Sequence, residues 1–264
     1  MPTPAEKAEI FRSLHHGRDV LVLPNAWDCV SARIFEDAGY PAIATTSAGI
    51  ANAMGYPDGQ RISAAEMLAV VRRIAGCVAV PVTADLEGGY GDIAGTIAGL
   101  VESGAIGLNL EDGEHDTEEH SRTIAAARRA GLAKGIRLVI NARTDLYLAG
   151  IGDPASRFER ACERSRAYMT AGADCVFIPG VRDEETIGRF TQALDFPLNF
   201  LAVPGSPPLR RLQELGVARV SLGSGVARAA MAATRRIALE VKTTGSFDGL
   251  TDAVSYSEAN RLFE

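Results

Sequence analysis

Eight apolar runs recur along the chain, and helical patterns lie between them with hardly a break. The runs are Val20–Leu23, Ala42–Thr45, Ala79–Ala84, Ile106–Leu110, Arg137–Asn141, Cys175–Ile178, Leu198–Val203 and Val217–Leu222. Most are continuously apolar rather than alternating, as parallel strands covered on both faces must be. The intervening segments Val30–Ala38, Ser63–Ala75, Ala94–Ser103, Glu119–Ala130, Pro154–Ala171 and Pro208–Leu215 each run into a glycine, the residue that accepts the left-handed turn ending a helix. Glu184–Ala193 runs into a loop instead, and Ser63 with Glu66 forms a capping box. Eight strand–helix pairs in 264 residues predict an α/β fold, a single (β/α)8 TIM-type barrel over residues 1–264. A doubly wound sheet with a small extra domain is the alternative. Residues 1–19 read as a leading helix and 224–241 as the last barrel helix. Residues 245–264 read as a tail that packs on the barrel or on a neighbouring subunit.

Composition narrows the partners. A formal charge of −6 and a pI near 5.4 leave no basic footprint for nucleic acid. An anionic substrate would have to be held by a few local cations. No apolar run approaches the ~18 residues of a membrane span, and the N-terminus lacks the charged-then-apolar design of a signal peptide. Cys29, Cys77, Cys162 and Cys175 are scattered without a CxxC pair, which reads as free thiols in a reducing cytoplasm.

In a barrel, chemistry collects where strands end. Asp85 and Glu87 follow the third run and lead straight into Gly88, Gly89 and Gly91; Glu111 follows the fourth. Three carboxylates at adjacent strand ends repel one another unless a cation sits among them. With no His or Cys cluster to suit zinc, that cation is expected to be Mg²⁺ or Mn²⁺. Arg143, after the fifth run, is either an ion-pair strut or a planar clamp for a carboxylate. Thr45-Thr46-Ser47 is either a turn of small residues or a cradle of hydroxyl and N–H groups. Asp58 lies in a Gly-Tyr-Pro-Asp-Gly turn, where aspartate is common for structural reasons alone. Trp27 and Asp28 follow the first run, Asn199 lies in the seventh and Arg228 follows the eighth; these are further candidate substrate contacts. His115, in the polar loop after the fourth run, is a candidate proton donor or acceptor if that loop covers the site.

Together these segments resemble the isocitrate lyase/phosphoenolpyruvate mutase superfamily over nearly the whole chain. The resemblance rests on Leu23-Pro-Asn-Ala-Trp-Asp28, Thr45-Thr-Ser47 with Gly55-Tyr-Pro-Asp58, Asp85-Leu-Glu-Gly-Gly-Tyr-Gly91, Asn109-Leu-Glu-Asp112, Asn141-Ala-Arg-Thr-Asp145 and Ala171-Gly-Ala-Asp-Cys175. It implies Mg²⁺ held by Asp85, Glu87 and Glu111 with Asp58 nearby, and a substrate carboxylate held by Arg143 and Thr45–Ser47. It also implies a homotetramer, a dimer of dimers whose eighth helices are exchanged between subunits. Two segments depart from the pattern. Lyases that split isocitrate or methylisocitrate carry a K-[KR]-C-G-H segment after the L-E-D motif, whereas here the chain runs Glu111-Asp-Gly-Glu-His-Asp-Thr-Glu-Glu-His120 with no cysteine. After the sixth run stands Ile178-Pro-Gly-Val181, where lyases usually place a glutamate and phosphonate mutases a histidine.

The expected activity is therefore Mg²⁺-dependent cleavage of a carbon–carbon bond, or decarboxylation, in a small 2-oxo or 2-hydroxy acid such as oxaloacetate, through a stabilised enolate. Isocitrate and methylisocitrate lyase activities are not expected. Carbon–phosphorus chemistry on phosphonopyruvate, and metal-dependent binding of a 2-oxo acid without turnover, are the alternatives.

Overall fold

The computed structural model describes residues 2–113 and 115–264. Nine parallel strands form one sheet: β1 Leu21–Leu23, β2 Asn25–Ala26, β3 Ile43–Thr45, β4 Val82–Asp85, β5 Gly107–Glu111, β6 Val139–Arg143, β7 Cys175–Phe177, β8 Leu198–Leu201 and β9 Arg219–Ser221. Their order is β1-β9-β8-β7-β6-β5-β4-β3-β2, so the two ends of the sheet are consecutive in the chain. Only Pro24 separates β1 from β2. It has no N–H to place in a ladder, but its carbonyl accepts a bond from Ala44 at 2.9 Å. One stave thus pairs with β9 through its first half and with β3 through its second, closing the expected eight-stave barrel.

The helices are α1 Pro4–Leu14, α2 Cys29–Asp37, α3 Ser47–Ala53, α4 Ala64–Cys77, α5 Ile93–Ser103, α6 Thr117–Ala133, α7 Arg157–Ala171, α8 Glu184–Ala193, α9 Leu209–Glu214, α10 Gly225–Thr244 and α11 Tyr256–Arg261. Gly104 and Gly172 cap α5 and α7 in the left-handed region, as the sequence predicted. Gly76 and Gly131 do not stop their helices, which continue to Cys77 and Ala133. Gly131 is a packing glycine: a Cβ there would lie 3.0 Å from the Ile136 carbonyl and 3.1 Å from Leu138. The capping box of Ser63 and Glu66 is present.

Helix α1 closes the N-terminal end of the barrel. Phe11 is fully buried there, close enough that a Cβ on Gly107 would sit 3.2 Å from its ring. Arg12 of α1 and Arg128 of α6 both pair with Asp174, just before β7, and Asp174 also accepts the Ile140 N–H at 2.9 Å. The aspartate of the Ala171–Cys175 motif therefore ties helices to the barrel floor, far from the strand ends that carry the site.

At the other end of the chain, only Ala227 of α10 is buried. Met231, Leu239 and Val241 are exposed along the helix, as are Phe247, Leu250, Val254 and Tyr256 beyond it. The tail returns to its own barrel, where the Leu262 carbonyl meets Arg33 of α2. No helix among the described residues is long and apolar enough to cross a membrane.

Candidate active site

The strand ends of β4, β5 and β6 converge on a cavity of about 220 Å³. One wall is polar and charged, with Ser47, Asp58, Asp85, Asn109 and Arg143; the facing wall carries Leu148, Phe177, Pro179 and Leu201. Asn25, Ser221 and Ser224 complete its floor and rim.

Asp85 is the last residue of β4, and its backbone N–H donates to the Thr45 hydroxyl at 2.9 Å. Its Oδ2 accepts both the N–H and the hydroxyl of Ser47, at 3.1 and 2.8 Å. Ser47 can deliver both because it is the first residue of α3, whose N-cap is Thr46. The Thr45–Ser47 segment is thus a strand end passing into a helix rather than a small-residue turn. Its Thr45 and Ser47 hydroxyls orient Asp85, while Thr46 and Ser47 also line the cavity.

Glu87 stands beside this wall without lining it. Its two oxygens accept the Gln60 N–H at 2.6 Å and the Tyr90 hydroxyl at 2.9 Å. Burial pushes its carboxyl up, these two bonds oppose the shift, and Asp85 and Asp58 reinforce it. Gln60, Glu87 and Tyr90 all have positive φ, at 55°, 50° and 59°. Each costs on the order of 1–3 kcal/mol, strain that characteristically collects at functional loops.

Arg143 ends β6, two residues later than the apolar run predicted the strand to stop. Its Nη1 pairs with Glu111 at 2.7 Å and its Nε with Asp145 at 2.6 Å, while Phe177 lies 6.0 Å from the guanidinium carbon. Two edges of the fork are thus braced by protein, leaving N–H groups that these bonds do not use for a ligand in the cavity. Burial disfavours the charge on Arg143, but Glu111 and Asp145 more than reverse this and hold it protonated. Glu111 shows the converse. Burial raises its carboxyl to about 8 against the pull of Arg143, and Asp85, Asp145 and Glu87 add to the rise.

No three His, Cys, Asp or Glu side chains among the described residues converge as a ready-made metal cage. Mg²⁺ does not require one, since it commonly keeps several waters and uses one or two carboxylates plus substrate oxygens. The donor set fits that mode. Asp85 presents an oxygen that Ser47 does not engage, Asp58 lines the same cavity, and Glu87 and Glu111 stand behind them.

The remaining sequence candidates lie elsewhere. Asp28 caps α2 through the Ser31 N–H at 2.7 Å, and Trp27 lines a separate groove with Gly49, Ala230 and Met231. Asn199 is buried inside the barrel against Ser221, and Arg228 is exposed in the first turn of α10. His115 is exposed, pairs with Glu119 at 2.9 Å and does not line the cavity. Its neighbour Glu114, in the same loop, lies outside the described residues. The sequence reading gave no role to Asn25, whose Oδ1 accepts the Leu222 and Gly223 N–H groups at 2.8 and 2.9 Å. It also missed the apolar wall; position at a strand end, for Phe177 and Leu201, or after one, for Leu148 and Pro179, was the only signal available.

Comparison with known proteins agrees with this geometry. The family of phosphoenolpyruvate phosphomutase matches residues 11–242. An uncharacterized protein of Mycobacterium tuberculosis is 37% identical over 216 residues, 81% of either chain. An oxaloacetate decarboxylase of Chromohalobacter salexigens is 32% identical over 251 residues, 89% of this chain and 85% of its own. The structure of an oxaloacetate acetylhydrolase in complex with the product oxalate aligns with a TM-score of 0.87 at 26% identity, covering 99% of this chain and 95% of that one. The chain belongs to the phosphoenolpyruvate phosphomutase family, within the isocitrate lyase/phosphoenolpyruvate mutase superfamily of α/β barrels.

Proposed function

We propose that the protein is a Mg²⁺- or Mn²⁺-dependent enzyme that breaks a carbon–carbon bond in a small 2-oxo acid, oxaloacetate or a close analogue. The observation that carries this reading is the cavity of only about 220 Å³, which a braced guanidinium, Asp85 and Asp58 line together. Sites for drug-sized ligands run to roughly 300–1,000 Å³, so this space favours a short diacid. The likeness to an oxaloacetate decarboxylase and to an oxaloacetate acetylhydrolase points to the same substrate class.

Arg143 binds and orients a substrate carboxylate through its unbraced N–H groups, and orientation supplies much of the rate in such reactions. Asp85, with Ser47 fixing its rotamer and Asp58, Glu87 and Glu111 nearby, is the residue that holds the metal. When bound, Mg²⁺ supplies positive charge where the carbonyl oxygen becomes an enolate oxyanion. Decarboxylation of oxaloacetate then breaks one C–C bond, leaves its electron pair in the enolate and ends with protonation at carbon by water. No protein base is needed, which accords with a loop of five residues between β5 and α6 and with no cysteine lining the cavity. The same absence argues against isocitrate and methylisocitrate cleavage. Phe177 and Leu201 keep the side opposite Asp85 apolar. The exposed face of α10 is where we place the contact with a second subunit in a homotetramer.

Purified protein with Mg²⁺ should convert oxaloacetate to pyruvate and CO₂, or to acetate and oxalate, and Asp85→Ala should lose both metal binding and turnover. Absence of any product across oxaloacetate, malate-type and citrate-type acids would overturn the reading.

A further inference from the structure

In the Leu110-Glu111-Asp112 motif, Glu111 braces Arg143 beside the cavity while Asp112 turns away into the wall behind it. Asp112 is fully buried, yet every part of it is engaged. Its backbone N–H donates to the Arg143 carbonyl at 3.0 Å, and its Oδ1 accepts the Asp145 N–H at 2.9 Å. Its Oδ2 accepts the Tyr168 hydroxyl at 2.8 Å and pairs with Nη1 of Arg164. Tyr168 is fully buried and Arg164 is 8% exposed; both come from α7, outside the barrel.

These contacts form a continuous path to the cavity. Asp112 pins the main chain on both sides of Thr144, and Asp145 then holds Nε of Arg143 at 2.6 Å. The direction of the guanidinium is therefore set from behind, by a residue that does not touch the cavity. We propose that Asp112, anchored by Arg164 and Tyr168, is a positioning residue that aims Arg143 at the substrate carboxylate. This rests on the reading of Arg143 as a carboxylate clamp.

Physical reasons favour positioning over mere adhesion. A buried ion pair is often no more stabilising than apolar residues of the same volume, because desolvation offsets the attraction. What such a pair does provide here is a fixed register between the ends of β5 and β6. A misplacement of about 1 Å at a clamp can cost on the order of a hundredfold in rate. Without its α7 partners, the buried Asp112 carboxylate would be drawn toward water, and that movement weakens its bond to the Asp145 N–H.

The test compares the full-length wild type with Tyr168→Phe, Arg164→Met and Arg164→Lys. Three readouts are taken: oxalate affinity in the presence of Mg²⁺ by calorimetry, hydrogen exchange at the Asp145 amide, and Tm. Arg164→Met should weaken oxalate about tenfold or more and speed Asp145 exchange by a similar factor. Tyr168→Phe, which removes one hydrogen bond and leaves the fold intact, should shift both in the same direction by less. Arg164→Lys should restore part of the affinity. If the variants lose Tm while oxalate affinity and Asp145 exchange stay at wild-type values, Asp112 is only structural and the proposal is overturned. If wild-type protein binds no oxalate with Mg²⁺, the clamp reading fails. The Asp145 exchange rates then decide alone whether Asp112 orders this segment: dependence on Arg164 supports positioning, and independence refutes it.

Discussion

Gly180, in the loop leaving β7, offers a quantitative test of how tightly the apolar wall is built. Its φ is +98°, and a methyl group there would lie 2.7 Å from the Leu148 nitrogen, 2.8 Å from the Tyr147 carbonyl carbon and 2.9 Å from the Leu148 Cα. All three are main-chain atoms, so no side chain can rotate out of the way. Gly180→Ala therefore carries two costs. The left-handed backbone alone costs an L-residue about 1–2 kcal/mol. Overpacking against an immovable neighbour adds about 1–3 kcal/mol, for a total of about 2–5 kcal/mol. Gly205 supplies the control. It has φ +86° but nothing within 4 Å of a built Cβ, so Gly205→Ala should cost only the backbone share. Urea denaturation of the two variants measures the difference directly, at constant m-value. The strain has a functional direction as well. Leu148 and Pro179 both line the cavity, so relief of the clash moves that wall and should raise KM for oxaloacetate more than it lowers kcat. If Gly180→Ala proves no more destabilising than Gly205→Ala, the steric argument is wrong and the position could have carried an acid side chain after all.

Three further outcomes follow from the site and the core. Arg143→Lys keeps a charge but cannot brace against Glu111 and Asp145 while presenting a fork to substrate. Its kcat/KM for oxaloacetate should fall roughly a hundredfold, about 2.7 kcal/mol of transition-state stabilisation. Ser47→Ala leaves the N–H bond to Asp85 but removes the hydroxyl bond, and calorimetry should show Mg²⁺ affinity reduced by about tenfold. His120 is buried against Tyr168, and burial lowers it to about 4, with Asp112 opposing. Below pH 6.5 the unfolded chain therefore takes up a proton that the folded chain refuses, and stability falls as pH drops toward 4. Between pH 7.5 and 5.5, the stability of wild type relative to His120→Gln should fall by about 1.3 kcal/mol in urea melts. An unchanged gap would mean that His120 is not held neutral.

The barrel was legible because its strands are buried on both faces, and an apolar run needs no partner to be recognised. The errors have physical causes. A glycine that ends a helix and a glycine that lets a helix pack closely are the same letter, and Gly131 is the second kind. Helix α3 is not foreseen, and Thr45–Ser47 is left open between a turn and a cradle, because seven residues with a glycine among them carry little helical signal; its cap at Thr46 depends on where β3 places the chain. The apolar run gives out at Asn141 and Arg143, which places the end of β6 two residues early, ahead of Ala142 and Arg143. The strand continues through them because each pairs across the sheet, Arg143 with Glu111 on one side and Phe177 on the other.

The site was legible in proportion to how local its logic is. Asp85, Asp58 and Arg143 follow or end strands in a barrel, and strand ends meet at one place whatever the loops do. What each can do there depends on contacts from distant segments: Ser47 comes 38 residues before Asp85, and Arg164 and Tyr168 come 52 and 56 residues after Asp112. The carboxylates Glu87 and Glu111 illustrate the consequence. As letters they are equivalent to Asp85. In the fold, Glu87 spends both oxygens on Gln60 and Tyr90, and Glu111 braces Arg143, so only Asp85 and Asp58 face the cavity. The acids are thus layered, with two at the surface of the cavity and two behind it. That arrangement suits a hydrated cation better than a bare one, because only the outer pair reaches the cavity and waters can complete the coordination. On the proposed reading, the opposite wall narrows the reaction class. There the backbone at Gly180 leaves no room for a side chain, and Phe177 and Leu201 offer no proton, which on that reading favours a bond whose leaving fragment asks little of the protein.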